Sequence, residues 1–326
     1  MANPMMFYTA LGMAKESSWG TDTAPTVWHP ITNPRFDPGG LQHIMDDNFR
    51  GLAAVDFDML PGPGNGSFSF GGGIYMDSSP MFFASIIGPD AIAGASPYTH
   101  TFALTAAPDS HSLEEQTNVQ SYRYNGSRLT EFGVSFNAAT GMAQYSVQGA
   151  SKVGLEQASP TSTAFTAESA ISAVAGWQGS LTVAGGAAAI LLEGQVTFSR
   201  QQRIIHGFTN TAGGSQDVNA MYPLALQVTA RLTFNYSQST ELYMAYPKTG
   251  QSLAGAAVTK NAVVISLKRS ATEIMAITLT KAAWRQFQRE NQDGTYTGVA
   301  LLHGIYNATD AGPVKVVCTN NRSTAY

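Results

Sequence analysis

From Leu224 to Tyr236 the chain alternates. Leu224, Leu226, Val228, Ala230, Leu232 and Phe234 fall on one face of an extended backbone, and Gln227, Thr229, Arg231, Thr233 and Asn235 on the other. A helix would scatter both sets around its axis, so a period of two predicts a strand. At about 3.3 Å per residue it would run ~40 Å, longer than most strands. Backbone donors and acceptors over that length need neighbours just as long. The stretch therefore predicts a large antiparallel sheet, one face on a core and the other turned away from it.

Other runs agree. Residues 51–58 and 67–76 are strand-like, with Phe68 and Phe70 alternating with Ser67 and Ser69. Runs 129–136 and 142–149 flank Asn137-Ala-Ala-Thr-Gly141, the length of a hairpin loop. Further strands are predicted near 179–184, 190–199, 263–268, 273–280, 297–306 and 313–318. Asp77–Gly88 carries helix signals, Ser beside Pro at its start and Gly past its end, and its bulky residues suit a plug against a sheet. Lys281–Glu290 reads equally as a helix, with Trp284 and Phe287 on one face, or as a continued strand. The expected class is all-β with one or two short helices.

Prolines at 25, 30, 34 and 38 predict an extended N-terminal arm over 1–41. The Ser/Thr/Ala-rich stretch 159–175 reads as a linker between domains 42–158 and 176–326. The order of features recurs across it. Met59-Leu60-Pro61, a strand ending at Tyr75 and a helix-like piece ending at Gly88 match Met221-Tyr222-Pro223, a strand ending at Tyr236, then Ser239–Tyr246 and Gly250. The offset is 162 at Met59/Met221 and 161 at Tyr75/Tyr236. Each copy follows an apolar pair in a loop, His43-Ile44-Met45 or Arg203-Ile204-Ile205. Two tandem, related β domains are expected.

Charged residues make up only 12%, about half the usual share, and Gly is frequent at 32. That mix suits a surface covered by further copies of the chain, and equally a neutral β-rich protein. A net charge of −4 gives no basic footprint for tight nucleic-acid binding. The lone Cys318 excludes an internal disulfide framework and a cysteine-only metal site. No apolar run reaches the ~18 residues of a membrane span. The N-terminus lacks a signal peptide's basic start and apolar core, which predicts synthesis in the cytoplasm.

Chemical motifs give little. Gly62-Pro-Gly-Asn-Gly66 looks like a phosphate loop, but a strand follows it and proline removes donors, so a hairpin turn is expected. None of the six histidines sits two to four residues from another, leaving no local metal-ligand pair. Asp109-Ser110-His111 cannot form a triad within one strand, because neighbours point to opposite faces. Asp46-Asp47 and Glu114-Glu115 read as solvated loop charges, and Asn125-Gly126-Ser127 as a turn. No cofactor, metal or catalytic constellation is indicated, which favours a structural or binding role over an enzyme.

The opening Gly12-x-x-Lys15-Glu16-x-x-x-Gly20-Thr21-x-x-x-Pro25 resembles the start of the major tail, or tail tube, proteins of long-tailed, siphovirus-like bacteriophages. Phe132–Phe136 through Tyr145–Gly149 is similar to the hairpin closing their first half, and Leu192–Phe198 and the last strands near 299–318 also fit. The resemblance covers most of the chain. It implies antiparallel sheets of tube type plus a short helix, in stacked rings whose inner sheets join into one barrel around a DNA channel. Self-association, tail tip and terminator proteins, a tape measure protein and a place in the virion tail are implied with it. DNA would pass without specific binding, and no membrane is involved. Positions 36–50, 203–220 and the N-terminal arm match the family's ring-stacking segments, which points to His43, Ile44, Asp46, Asp47, Arg50, Arg203, Ile204 and His206. On the polar side of the 129–150 hairpin, Glu131, Ser135, Asn137, Gln144, Ser146 and Gln148 are expected to line the channel. With two tube domains per chain, a trimer with pseudo-sixfold symmetry is favoured over a hexamer. The competing expectation is a β-sandwich binding module or adhesin recognising a host surface or carbohydrate.

Overall fold

A computed structural model describes residues 10–39, 42–48, 50, 56–117, 120–159, 161, 172–183, 190–207, 216–235, 248–249, 252–253, 260–292 and 295–326. The first strands are β1 (Ala10–Lys15), β2 (Val27–His29), β3 (Thr32–Asp37), β4 (His43–Asp46), β5 (Asp58–Pro61) and β6 (Gly66–Gly73). Helix α1 (Met81–Ile86) precedes β7 (Asp90–Ala93), β8 (Tyr98–Phe102), β9 (His111–Gln116), β10 (Ser121–Asn137), β11 (Gln144–Ser151) and β12 (Leu155–Gln157). After a 3₁₀ turn at Gly176–Gln178 come β13 (Gly179–Val183), β14 (Leu191–Ser199), β15 (Gln202–Ile205), β16 (Ala220–Pro223) and β17 (Gln227–Asn235). The last are β18 (Lys248–Thr249), β19 (Ser252–Leu253), β20 (Lys260–Lys268), β21 (Ile274–Gln292), β22 (Thr295–Gly304) and β23 (Lys315–Asn320). The protein is all-β, and every pairing is antiparallel.

One sheet runs in the order β3–β6–β11–β10–β14–β17–β22–β21. Two of its strands are long enough to belong to a second layer as well. The first half of β10 pairs with β9 and β12, and β1 and β2 lie beyond β9. The first half of β21 pairs with β20 and β23, with β13 beyond β20 and β8 and β7 beyond β23.

The same scheme thus occurs twice, down to its irregularities. β10 inserts an extra residue between Leu129 and Glu131 against β11, and β21 does so between Trp284 and Gln286 against β22. Against β9, β10 bulges between Tyr124 and Ser127; against β20, β21 bulges between Leu279 and Ala282. Each bulge recurs at an offset of 155. The cross-strand row Phe70–Val147–Phe132 in the first half corresponds to Leu232–Ala300–Phe287 in the second. The hairpin β4–β5 separates β3 from β6 as β15–β16 separates β14 from β17.

The core lies between the layers. Helix α1 is only six residues long and all are buried, so tertiary packing rather than propensity holds it. Phe82 and Phe83 meet the Phe132 ring at centroid distances of 5.6 and 5.0 Å, and Phe83 also meets Phe198 at 5.5 Å. Aromatic pairs at these separations add to plain area burial.

Several expectations change. Residues 10–37 pair in regular ladders, which their prolines are expected to deny: β1 is buried between β2 and β9, and β3 pairs with β6 at an edge of the main sheet. The prolines do not prevent this, because Pro25 and Pro30 fall outside strands and Pro34 sits on an edge strand. The strand expected from Leu224 begins at Gln227; Leu224 is exposed and its N–H goes to the Gln201 carbonyl. Lys281–Glu290 continues β21 as strand. Helix α1 occupies only the middle of 77–88. Gly62–Asn65 is no hairpin turn but leads from β5, paired with β4, into the main sheet. Segments 51–55, 162–171 and 239–246 lie outside the described residues.

Candidate functional site

The main sheet has two unlike faces. Phe68, Phe70, Tyr145, Val147, Phe132, Val134, Val196, Phe198, Val228 and Leu232 point into the core. The opposite face is mostly polar from β6 to β17, with Leu301 and Ala283 among its residues at the β22–β21 end. One row across it reads Gly73, Gln144, Ser135, Gln195, Arg231, Leu301, Gln286, and the row beside it Gly71, Ser146, Gly133, Thr197, Thr229, His303, Ala283. Opposite charges are interspersed there: Arg231 Nη1 lies 3.7 Å from Glu193 Oε1, with both side chains substantially exposed. Thr233 also donates to Glu193, at 2.8 Å. A cleft on this face is lined by Ser135, Asn137, Gln144, Glu193, Gln195 and Arg231.

The six polar hairpin residues fall on this face together. Ser135 is directly across from Gln144 and Glu131 from Gln148; Ser146 faces Gly133; Asn137 ends β10 opposite Glu193. Sequence reasoning missed their continuation through Gln195, Thr197, Thr229 and Arg231. The alternation in β14 and β17 carried that signal, but without the β10–β14 pairing nothing tied it to the hairpin.

The second set of residues lies on the two small hairpins. His43, Ile44, Asp47 and Arg50 are exposed, and Asp46 binds the Arg50 guanidinium and the Asn48 amide. On β4–β5 the cross-strand pairs Ile44–Leu60 and Met45–Met59 lie on opposite faces of the hairpin, each residue about half exposed. On β15–β16, Arg203 and His206 are exposed and Ile204 is half-buried. The hairpins touch: Gly64 N donates to Gln216 O at 2.9 Å, and Gln216 Nε2 to Pro61 O at 3.2 Å.

The remaining polar groups hold the fold together. Glu16, buried after β1, accepts from Ser110 Oγ, Ser112 Oγ and the N–H groups of Gly20 and Gly126. Its carboxylate thereby fastens the loop after β1 to the bulge in β10, where Gly126 has φ of 64°. Asn125–Ser127 is that bulge, not a turn. Glu114 and Glu115 are not loop charges either, since both lie in β9. Glu114 is fully buried and binds Arg123 at 2.6 Å, and burial raises the Glu115 pKa. Asp109 turns its carboxylate to Lys15 and Ser110 its hydroxyl to Glu16, and buried His111 bonds neither side chain, so no triad assembles. Cys318 is buried and its thiol pKa is pushed up by burial. Among the described residues no cluster of His, Cys, Asp and Glu could hold a metal ion. No helix among them is long and apolar enough to cross a membrane.

Against this geometry stands a family match. The model of the phage tail tube protein family covers residues 8–296, most of the chain. The chain belongs to the phage tail tube protein family. No individual curated protein gave a match. Membership makes this a structural protein of the phage tail, and its antiparallel all-β fold is consistent with the family's tube-type fold. Within the opening stretch, Glu16 and Gly20 take part in the staple that fastens the loop after β1 to β9 and β10, while Lys15 pairs with Asp109.

Proposed function

We propose that the protein polymerises into stacked rings whose polar sheet faces join around a channel, the conduit for DNA during ejection. The observation carrying this reading is the polar face itself. It is wide, its charges are few and of both signs, and among the described residues its sheet ends at two unpaired strand edges. A bare sheet edge is an aggregation hazard, and closure of several copies into a barrel removes it. DNA carries a charge every ~1.7 Å, so a basic wall would hold it, whereas a neutral wall lets it slide.

Each chain carries two four-strand units, β3–β6–β11–β10 and β14–β17–β22–β21. Three chains then complete a ring of pseudo-sixfold character, every second junction being covalent. A ring of six chains is the alternative arrangement. The hairpins β4–β5 and β15–β16, with their exposed apolar and charged residues, are the ring-stacking elements. Tail tip, terminator and tape measure proteins are the expected partners, and the virion tail the expected location after synthesis in the host cytoplasm.

Electron microscopy of the purified protein tests this. Hollow tubes with three chains per ring are expected. A species that stays monomeric at high concentration would remove the reading, and six chains per ring would remove the trimer.

A further inference from the structure

The junction inside the chain shows how two chains can join. Where the first unit meets the second, Glu131–Asn137 of β10 pairs with Glu193–Ser199 of β14, on the side of β10 opposite β11. The repeat assigns each of these strands a counterpart at the far end of the sheet. The bulges place β21 at β10 numbers plus 155. Their partners, Ser69–Phe68 in β6 and Arg231–Ala230 in β17, place Gln195 and Val196 at Arg35 and Phe36 plus 160. Those counterpart edges stand open. β3 pairs through one edge with β6, and its other edge meets no strand among the described residues. Between Gln286 and Glu290, β21 pairs with β22 on one side and with no described strand on the other.

We infer that β3 of one copy pairs antiparallel with the second half of β21 of a neighbouring copy, in the register of the internal β10–β14 junction. This rests on the ring proposed above and names the edges that close it. The internal pair Ser135–Gln195 becomes Glu290 opposite Arg35, and Gly133–Thr197 becomes Gln288 opposite Asp37. The charges support the match, since Glu290 and Arg35 are both exposed and of opposite sign, as suits residues that this register sets directly cross-strand. The occupant of each edge is therefore a second copy of this chain. Pro34 and Asn33, whose φ is 49°, interrupt β3 beyond Arg35, which limits pairing in a slipped register.

Paired Cα atoms in an antiparallel ladder lie about 4.5–5.5 Å apart, within disulfide range. The double variant Arg35→Cys/Glu290→Cys, oxidised after assembly, is expected to lose its monomer band to a closed covalent ring on a denaturing gel. Arg35→Cys/Gln286→Cys, four residues out of register, is expected to stay monomeric on that gel. The conservative Arg35→Lys variant gives a second readout: a zero-length carbodiimide should join Lys at 35 to Glu290, found as one cross-linked peptide that Glu290→Gln abolishes. Tubes or rings without either cross-link, or with the out-of-register one, overturn this junction and leave the tube reading standing. A wild-type protein that forms no rings ends both.

Discussion

The guanidinium of Arg200 donates to the carbonyl oxygen of Ile87 at 3.2 Å, at the C-terminal end of α1. The same group reaches Ile86, Thr105, Ala106 and Leu224 carbonyls at 2.7–3.1 Å. The last carbonyls of a helix lack partners within it, and a cation there also complements the helix dipole. Arg200, from the end of β14, thus ties the second unit to the helix of the first.

Replacing Arg200 with Met strands several buried carbonyls. A loss of about 2–4 kcal/mol is expected, as for other buried charged groups with hydrogen bonds. Arg200→Lys recovers part of it, because an ammonium carries three donors against five. Urea unfolding of the three proteins measures both, and equal midpoints for Met and wild type would refute the role.

His29 and His111 are buried; among the described residues the His29 ring nitrogens have no hydrogen-bond partner, and His111 has only the Asp109 backbone beside it. Burial is the main cause that lowers each pKa from 6.5 to about 3, with Arg322 adding to it at His29 and Lys15 at His111. The unfolded chain takes up these protons below pH 6.5 while the folded chain does not. Stability is therefore full above pH 6.5 and falls as pH drops towards 3, by up to ~1.4 kcal/mol per pH unit for each histidine. Asp77 and Glu115, whose pKa values are raised mainly by burial, shift the opposite way at lower pH. Between pH 7.5 and 5 the melting temperature should fall, and His29→Gln should flatten that slope. An unchanged slope would show that His29 is protonated in the folded state.

The period-two runs of β6, β14, β17 and β20 were legible because one face of each strand is buried and the other is not. The crossing halves of β10 and β21 were harder to read, since a strand shared by two layers is buried on both faces, as Arg123–Leu129 is. Glu114 misled for the same reason, its charge being matched by Arg123 from the neighbouring strand. The repeat shows little residue identity because volumes are exchanged across its strands. Phe68 faces Gly149 in the first unit where Ala230 faces Leu302 in the second, and Gly72 faces Tyr145 where Phe234 faces Gly298. Register survives such exchanges, but identity does not. On the candidate site, the hairpin residues were visible from their alternation. The width of the face was not, because it depends on the β10–β14 and β17–β22 pairings.

The exchange gives a direct test of packing. A Cβ on Gly149 would lie 2.2 Å from Phe68 Cζ and 2.6 Å from the Arg128 carbonyl oxygen. Gly149→Leu alone should cost at least ~1–3 kcal/mol from overpacking. Phe68→Ala alone should cost ~3–5 kcal/mol by leaving a cavity. The pair copies the Ala230–Leu302 arrangement and removes the ring clash though not the approach to the Arg128 carbonyl, so a double-mutant cycle should show positive coupling that falls short of full rescue. Additive losses would mean that the two units do not pack alike.

On the β4–β5 hairpin, Ile44 and Leu60 stand opposite one another and are each about half exposed. An apolar cross-strand pair left open on a projecting hairpin suits burial against a neighbouring ring. Ile44→Asp with Leu60→Asp should leave the melting temperature nearly unchanged, because neither side chain belongs to the core. Tubes should give way to single rings or short stacks in electron micrographs. Full-length tubes from this variant would assign stacking to another surface.

Gln144, Ser146 and Gln148 project from β11 on the polar face, each exposed, opposite Ser135, Gly133 and Glu131. Their exposure predicts that lysine is tolerated at all three, since a long side chain can extend into open space without disturbing Tyr145 or Val147 behind it. If this face lines the channel, each ring gains three positive charges per chain along the path of the DNA. Phosphates then exchange their counterions for fixed lysines, and the sliding polyanion is held at every ring. Tubes assembled from the triple variant should look normal, while genome ejection from a phage complemented with it should slow, most at low ionic strength, where the charges are least screened. Glutamate at the same positions removes the attraction and should leave ejection close to wild type. Unchanged ejection from tubes shown to carry all three lysines would place the channel against a different face.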